Sequence, residues 1–351
     1  MHINIFQVLI LPIEPNPCKL YNINMRLTLL GTGTSFGVPV PTCTCHTCRS
    51  HSRKDKRLRC SAYLTHAEAD GSETRILIDV TPDFRTQALR YRVQNLNAVL
   101  LTHSHADHLH GLDDLRVFSH STNPQRVQHT QVPPVKQSIF PWKRFPPTED
   151  TIRFPETKGS GLPVYCNQST LRTVQERFGY IFTPVTEGGG KPKLHLEDCA
   201  VFSYTAPLRI GSIEIIPLLL MHGSMPDCGW LFKTRAANGS AHAIAYLTDC
   251  SVIPNETLHT LQAHSAILDH CVIDALRRKV HSTHLTFDEA MDYASTIAAR
   301  HTWFIHMCHD LRHTEIQAYI QARRPFLPAV DAYLKTGATI KPAYDGQILI
   351  A

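Results

Sequence analysis

The run His103-Ser104-His105-Ala106-Asp107-His108 packs four ligands for first-row metals into six residues, three imidazoles and one carboxylate. It follows the apolar stretch 97–101 and leads into a helical stretch, 111–118. In a turn after a strand, alternate side chains can face one cation while the next pair faces a second. On that spacing His103 and His105 serve one metal, and Asp107 and His108 serve the other. Two cations about 3.5–4 Å apart can share a hydroxide and fix it for in-line attack. Four protein ligands do not complete two metals. His222, Asp249 and His306 each stand just past an apolar strand-like run, where a side chain can reach across a sheet end toward the first motif.

A second cluster, Cys43, Cys45 and Cys48, has the compact spacing C-x-C-x2-C. Thiolates are soft ligands suited to zinc, and a structural zinc closes a tetrahedron of four. The local run provides three. On the residues alone, Cys308 and His46 compete to be the fourth.

These side chains need rigid elements behind them. Strands are expected at 26–30, 75–80, 97–101, 199–205, 213–219, 228–234, 242–248 and 302–305. Gly31-Thr32-Gly33-Thr34-Ser35 reads as a tight turn in which glycine relieves backbone crowding. Thr81-Pro82-Asp83 opens a helix to about Tyr91, with proline at the first helical position. A second helix is expected from Ser169 to Phe178, closed by Gly179. Thr286 and Glu289 form a capping box for a helix running to about Ala299. Strands preceding helices in both halves suggest a layered α/β sandwich whose motif loops follow strand ends.

Composition supports this reading. The chain has 351 residues, 43% hydrophobic, ample for a large core. Its 22 histidines exceed what structure alone tends to need. Eleven cysteines, an odd number at irregular spacing, suit reduced thiols in the cytoplasm better than a disulfide framework. Lys and Arg exceed Asp and Glu by 35 to 30, a diffuse charge of +5. That tolerates an anionic substrate without arguing for duplex nucleic acid. Nothing approaches the roughly 18 uncharged apolar residues of a membrane span, so no membrane partner is expected. Residues 1–24 lack a basic region and a cleavage site, and read as a loosely held extension ahead of a domain from 25 to 351. Residues 119–163 hold eight prolines and read as a long surface excursion.

Taken together, the motifs resemble the metallo-β-lactamase-fold hydrolases, in the branch of the phosphoribosyl 1,2-cyclic phosphate phosphodiesterases. The stretches that carry the resemblance begin with Leu30 through Ser35, Gly37-Val38-Pro39 and the Cys43–Cys48 run. They continue with Leu77-Ile78-Asp79, Pro82-Asp83, His103 through His108, Gly111 through Arg116 and Phe178-Gly179-Tyr180. Later come His222-Gly223, Thr248-Asp249, Asp274 through Arg277, Thr283-His284-Leu285 and His306 through His309. The resemblance spans about residues 26–312 and implies an αββα sandwich. It implies that His103, His105 and His222 hold one divalent metal, zinc or manganese. Asp107, His108 and His306 would hold the other, with Asp249 bridging and Asp107 also counted in the catalytic machinery. It also implies His309 as the fourth ligand of a structural zinc, and His284 as phosphate contact and leaving-group acid. Asp79 would accept a hydrogen bond from a metal-bound histidine and fix its tautomer.

The implied reaction is hydrolysis of a small anionic phosphodiester, a cyclic one such as phosphoribosyl 1,2-cyclic phosphate, through a bridging hydroxide. A tRNA 3′-processing endonuclease, or an enzyme cleaving a thioester or lactam, would carry the same histidine motif. The proline-rich excursion could imitate a tRNA-binding arm, but it has no glycine-rich arm sequence, so nucleic acid ranks below the small substrate. A non-catalytic zinc protein on this scaffold would have lost ligands, whereas all seven are present. The sequence leaves a homodimer open.

Overall fold

Alternating burial along the strands builds two seven-stranded sheets that pack face to face. The computed structural model describes residues 25–119, 161–183, 190–236 and 238–351. The expected extension 1–24 and residues 120–160 of the expected excursion lie outside the described residues. The excursion's ends are regular structure: Arg116–Ser119 is a helical turn, and Leu162 and Pro163 are the first residues of the strand Leu162–Cys166.

In chain order the strands are β1 Met25–Gly31, β2 Ser61–Ala67, β3 Glu73–Ile78, β4 Ala98–Leu100, β5 Leu162–Cys166, β6 Leu194–Asp198 and β7 Leu208–Ile210. They continue with β8 Ile213–His222, β9 Met225–Arg235, β10 Ala241–Leu247, β11 Leu268–Asp274, β12 His301–Ile305, β13 Thr339–Pro342 and β14 Ile348–Ile350. One sheet runs β14-β1-β2-β3-β4-β5-β6 and the other β13-β12-β11-β10-β9-β8-β7. Met25, Leu27 and Leu29 of β1 and Ile76 and Ile78 of β3 face Trp230 and Phe232 of β9 and Val272 of β11 across the gap. The opposite faces are covered by helices. Leu77, Val99 and Leu101 pack with Phe84 and Val174, while Ala245, Ile273 and Phe304 pack with Phe287, Met291 and Ile316. The result is the expected αββα layering.

Phe232 is fully buried between the sheets. Phe232→Ala is expected to cost about 3–5 kcal/mol of unfolding free energy, read from a denaturant melt.

Local expectations differ from the structure in four places. The 199–205 strand is instead a short 3-10 turn, Cys199–Val201, because the Asp198 side chain accepts a hydrogen bond from Ala200 N–H and ends β6. The helix expected from Ser169 spans Gln168–Arg177, capped by Asn167, and Gly179 opens a further turn, Gly179–Phe182. The 111–118 helix is a 3-10 turn, Leu112–Leu115, followed by the turn at Arg116–Ser119. Helix Phe84–Tyr91 starts two residues later than expected, so Pro82 precedes the N-cap position and is not the first helical residue; Asp83 at the N-cap pairs its carboxylate with Arg59 at 3.0 Å and does not cap the helix. The capping box of Thr286 and Glu289 is present, and its helix runs Phe287–Ile297.

Candidate metal centre

β3 and β4 run parallel in one sheet, as do β10, β11 and β12 in the other. Their C-terminal ends therefore deliver loops to one edge of the sandwich. Asp79 follows β3, His103 follows β4, Asp249 follows β10 and His306 follows β12, while His222 is the last residue of β8. Asp79, Asp249 and His306 all adopt left-handed backbone, with φ of 59°, 49° and 55°. That conformation costs a non-glycine residue about 1–2 kcal/mol, so the surrounding sheet ends must hold these side chains in place.

Two clusters result. Ligand atoms of His103, His105 and His222 lie within 4.8 Å of one another, and so do those of Asp107, His108, Asp249 and His306. Asp249 touches both. Its Oδ1 is 3.3 Å from His108 Nε2, and its Oδ2 is 3.2 Å from His306 Nε2 and 3.8 Å from His103 Nε2. All seven sequence-predicted residues are brought together.

The histidine rings are oriented from behind. His108 Nδ1 donates to Asp79 Oδ2 at 2.7 Å, and His222 Nδ1 donates to the Thr283 carbonyl at 2.8 Å. His103 Nδ1 sits 3.0 Å from Thr102 Oγ1, and that hydroxyl donates to Asp79 Oδ2 at 3.0 Å. Thr102 N–H donates to Asp79 Oδ1 at 2.8 Å. Nε2 of His103, His108 and His306 is buried with no hydrogen-bond partner. Buried polar atoms are seldom left so, and the rings of His103 and His108, pinned at Nδ1 and bare at Nε2, suit metal coordination; His306 is bare at both nitrogens.

Charge points the same way. Burial disfavours a charged His108, yet Asp249, Asp107 and Asp79 around it raise its pKa well above the ordinary value. Burial likewise opposes ionisation of Asp107, but His108 beside it holds the carboxyl well below the usual range. His103, farther from these carboxylates, is driven well down by burial. Buried carboxylates gathered around bare imidazoles form a donor set that fits divalent cations.

His284 stands beside both clusters. One of its nitrogens lies within 4.8 Å of ligand atoms of His222 and Asp249, and its ring stacks on His306 at 4.4 Å. Its Nδ1 donates to Asp274 Oδ2 at 2.8 Å, which leaves Nε2 for the site. Burial would lower its pKa, but the Asp274 carboxylate outweighs it and holds the ring at about 9.

The thiols converge as well. Sγ of Cys43, Cys45 and Cys48 lie 3.2, 3.5 and 3.4 Å from His309 Nδ1. A tetrahedron with zinc–sulfur bonds of about 2.3 Å and zinc–nitrogen bonds of about 2.0 Å has edges of about 3.5 Å, so the four atoms fit one zinc. The rival donors lie elsewhere: His46 pairs with Glu315 at 3.0 Å, and Cys308 is absent from the cluster. Burial opposes ionisation of Cys45, but hydrogen bonds from Cys48 N–H and its neighbours bring its pKa to about 6. The cluster is tied to β12 through the tight turn. Met307 N–H donates to the Thr32 carbonyl at 3.1 Å, and a Cβ on Gly31 would sit 2.0 Å from the Arg59 carbonyl oxygen.

Sequence reasoning missed Thr102, Asp227 and Asp274. Asp227, in β9, is fully buried with Oδ2 unpartnered and 3.8 Å from His103 Nδ1. An acid at the start of an otherwise apolar strand was its only signal. Asp274 lay in the Asp274–Arg277 motif, but nothing in its spacing revealed His284 as its partner.

The family described as Beta-lactamase superfamily domain matches residues 74–145 and 147–307. The chain is 34% identical over 286 residues to the octanoyltransferase of Porphyromonas gingivalis (strain ATCC BAA-308 / W83), covering 81% of this chain and 46% of that one. It thus spans about half the length of that curated relative. Among solved structures it is similar to a diphosphatase from the PhnP family, with TM-score 0.64, 32% identity, and coverage of 93% of this chain and 97% of that one. It is also similar in fold to Zn2+-bound PqqB from Methylobacterium extorquens, with TM-score 0.60, 14% identity, and coverage of 92% and 99%. Human tRNase Z, short form, aligns with TM-score 0.50, 13% identity, and coverage of 92% and 98%.

Proposed function

Because this chain belongs to the beta-lactamase superfamily, as a hydrolase of the metallo-β-lactamase fold, we propose that it cleaves a small anionic phosphodiester, such as phosphoribosyl 1,2-cyclic phosphate. In this reading His103, His105 and His222 hold one divalent metal, zinc or manganese. Asp107, His108 and His306 hold the second, and Asp249 serves both. When bound, such a pair supplies Lewis acidity at the phosphoryl oxygens and a lowered pKa for the attacking water.

The observation that carries the reading is the Asp274–His284 pair facing the clusters. Asp274 fixes the His284 tautomer and keeps a proton on the ring, so Nε2–H can bond the scissile phosphate and protonate the departing oxygen. Asp79 and Thr102 hold the ligand rings in their tautomers. A cavity of about 320 Å³ borders His284, enough for a sugar phosphate and too small to enclose a folded RNA.

A second reading is hydrolysis of a diphosphate, favoured by the 32% identical relative whose name is diphosphatase. The test is metal analysis of the purified protein together with a substrate panel. The panel holds bis(p-nitrophenyl) phosphate, ribose 1,2-cyclic phosphate, 2′,3′-cyclic nucleotides, a nucleoside diphosphate and precursor tRNA. Cleavage of diesters is the expected result. Cleavage of the diphosphate alone moves the assignment to the second reading, and cleavage of tRNA alone to a nuclease.

The Cys43–Cys45–Cys48–His309 group, in the same reading, holds a structural zinc. Cys45→Ser is expected to lower bound zinc by one equivalent and reduce the melting temperature, while the other two metal equivalents stay bound. Metal analysis of the variant checks this.

No helix among the described residues is long and apolar enough to cross a membrane. A cytoplasmic location is part of the proposal and rests on the reduced thiols, since the ten described cysteines are all free.

A further inference from the structure

Arg57 is a charged residue that the proposed chemistry leaves unused, and it is only 1% exposed. Burying a guanidinium is strongly unfavourable unless it is paired and hydrogen-bonded. Its pairing is loose. Asp55 Oδ1 stands 3.7 Å from Nη2 and already accepts from His313 N–H at 2.6 Å. The donors go instead to main chain. Nη1 donates to the Cys308 carbonyl, and Nη2 donates to the Leu311 carbonyl at 3.1 Å. Nε makes no hydrogen bond, so the two terminal nitrogens supply the whole grip. The two carbonyls flank His309, and Cys308 is two residues beyond His306. β12 ends at Ile305 and the next helix begins at His313, so the stretch carrying both histidines lies outside helix and strand. With no ladder to hold that stretch, a planar fork spanning two of its carbonyls fixes its path.

The root of Arg57 is fixed as well. Its N–H and carbonyl exchange hydrogen bonds with Val38, each at 2.8 Å, and a Cβ on Gly33 would lie 2.8 Å from the Arg57 Cβ. Val40, two residues beyond Val38, donates its N–H to Cys48 Sγ at 3.3 Å. Arg57 therefore starts in the loop between β1 and β2 that carries the three thiols, and it ends on the segment that carries His306 and His309. One side chain spans the two parts of the chain that make up the thiol group.

We propose that Arg57 is a positioning residue for two metal sites at once. By gripping the carbonyls of Cys308 and Leu311 it sets His309 against the three thiols, and it sets His306 against Asp107, His108 and Asp249. The proposal rests on the reading of both groups as metal sites and adds the residue that keeps them in register.

The full chain loaded with cobalt and titrated with a chelator tests it. Cobalt bound to thiolates shows a charge-transfer absorption band that cobalt bound to nitrogen and oxygen lacks, so the band reads the thiol group. Native mass spectrometry counts the cobalt that remains elsewhere. Arg57→Met is expected to lose the band at about 10–100-fold lower chelator concentration than wild type, the scale for residues that orient metal ligands. One of the other two cobalt ions should leave at a similarly reduced concentration. Arg57→Lys should fall between wild type and Arg57→Met, since it keeps the charge without the fork. Phe232→Ala, which weakens the core between the sheets, should leave both midpoints within about twofold of wild type, and so separates positioning from general loss of stability. The proposal is overturned if either midpoint in Arg57→Met is that of wild type, or if Phe232→Ala shifts both as far. Should Arg57→Met fail to fold, Arg57→Lys decides, and unchanged midpoints in it overturn the proposal. If wild type takes up cobalt without the thiolate band, the structural-zinc reading itself falls and the proposal with it.

Discussion

Asp249→Asn is expected to release at least one of the two proposed metals and to lower kcat by about 10³-fold or more. The size follows from position. Among the described residues, Asp249 is the one carboxylate within 4 Å of imidazole nitrogens from both clusters, at 3.2 Å from His306, 3.3 Å from His108 and 3.8 Å from His103. A metal pair that has lost its shared ligand loses several kcal/mol of transition-state stabilisation, and each 1.4 kcal/mol is about tenfold in rate. Asparagine is the informative substitute because it tolerates the left-handed φ of 49° at this position, so the charge is removed while the backbone is kept. Asp249→Ala should lose as much activity and some stability besides. Metal content by mass spectrometry and turnover are the two measurements. Full activity with two metals still bound would sink the scheme.

The second large effect is expected at His284. His284→Asn should lower kcat by about 10²–10⁴-fold on a diester with an alkoxide leaving group, the range of a lost general acid. The loss should be much smaller on bis(p-nitrophenyl) phosphate, because p-nitrophenolate departs without a proton. A ring that only fills space would give equal losses on both substrates. Asp274→Asn should fall between wild type and His284→Asn. It removes the carboxylate 2.8 Å from Nδ1 that keeps His284 charged, while leaving the ring in place. The ratio of kcat values for the two leaving groups, measured across the three proteins, decides the matter.

How far the centre could be read in advance depended on where each residue sits in the chain. The His103–His108 run is local, so its spacing alone announces a metal motif. His222, Asp249 and His306 were legible because a polar ligand directly after an apolar strand can go nowhere but the sheet edge, and the parallel pairing of β10, β11 and β12 gathers those edges. The αββα layering followed from strand-before-helix order together with the family resemblance. Residues that act through tertiary neighbours were not legible. Thr102 looks like an ordinary strand-end residue until Asp79 arrives from β3, and Asp227 meets His103 only because the two sheets face each other. The 199–205 segment carried strand-like residues, but the Asp198 side chain captured the backbone first.

Asp79 has a consequence of its own. It holds His108 of one cluster directly and His103 of the other through Thr102, so a single carboxylate orders both halves. In the proposed dinuclear reading, the affinity of either half for a metal ion would therefore depend on that one carboxylate. A change at Asp79 would alter metal binding in both halves, and any coupling between them would be reciprocal.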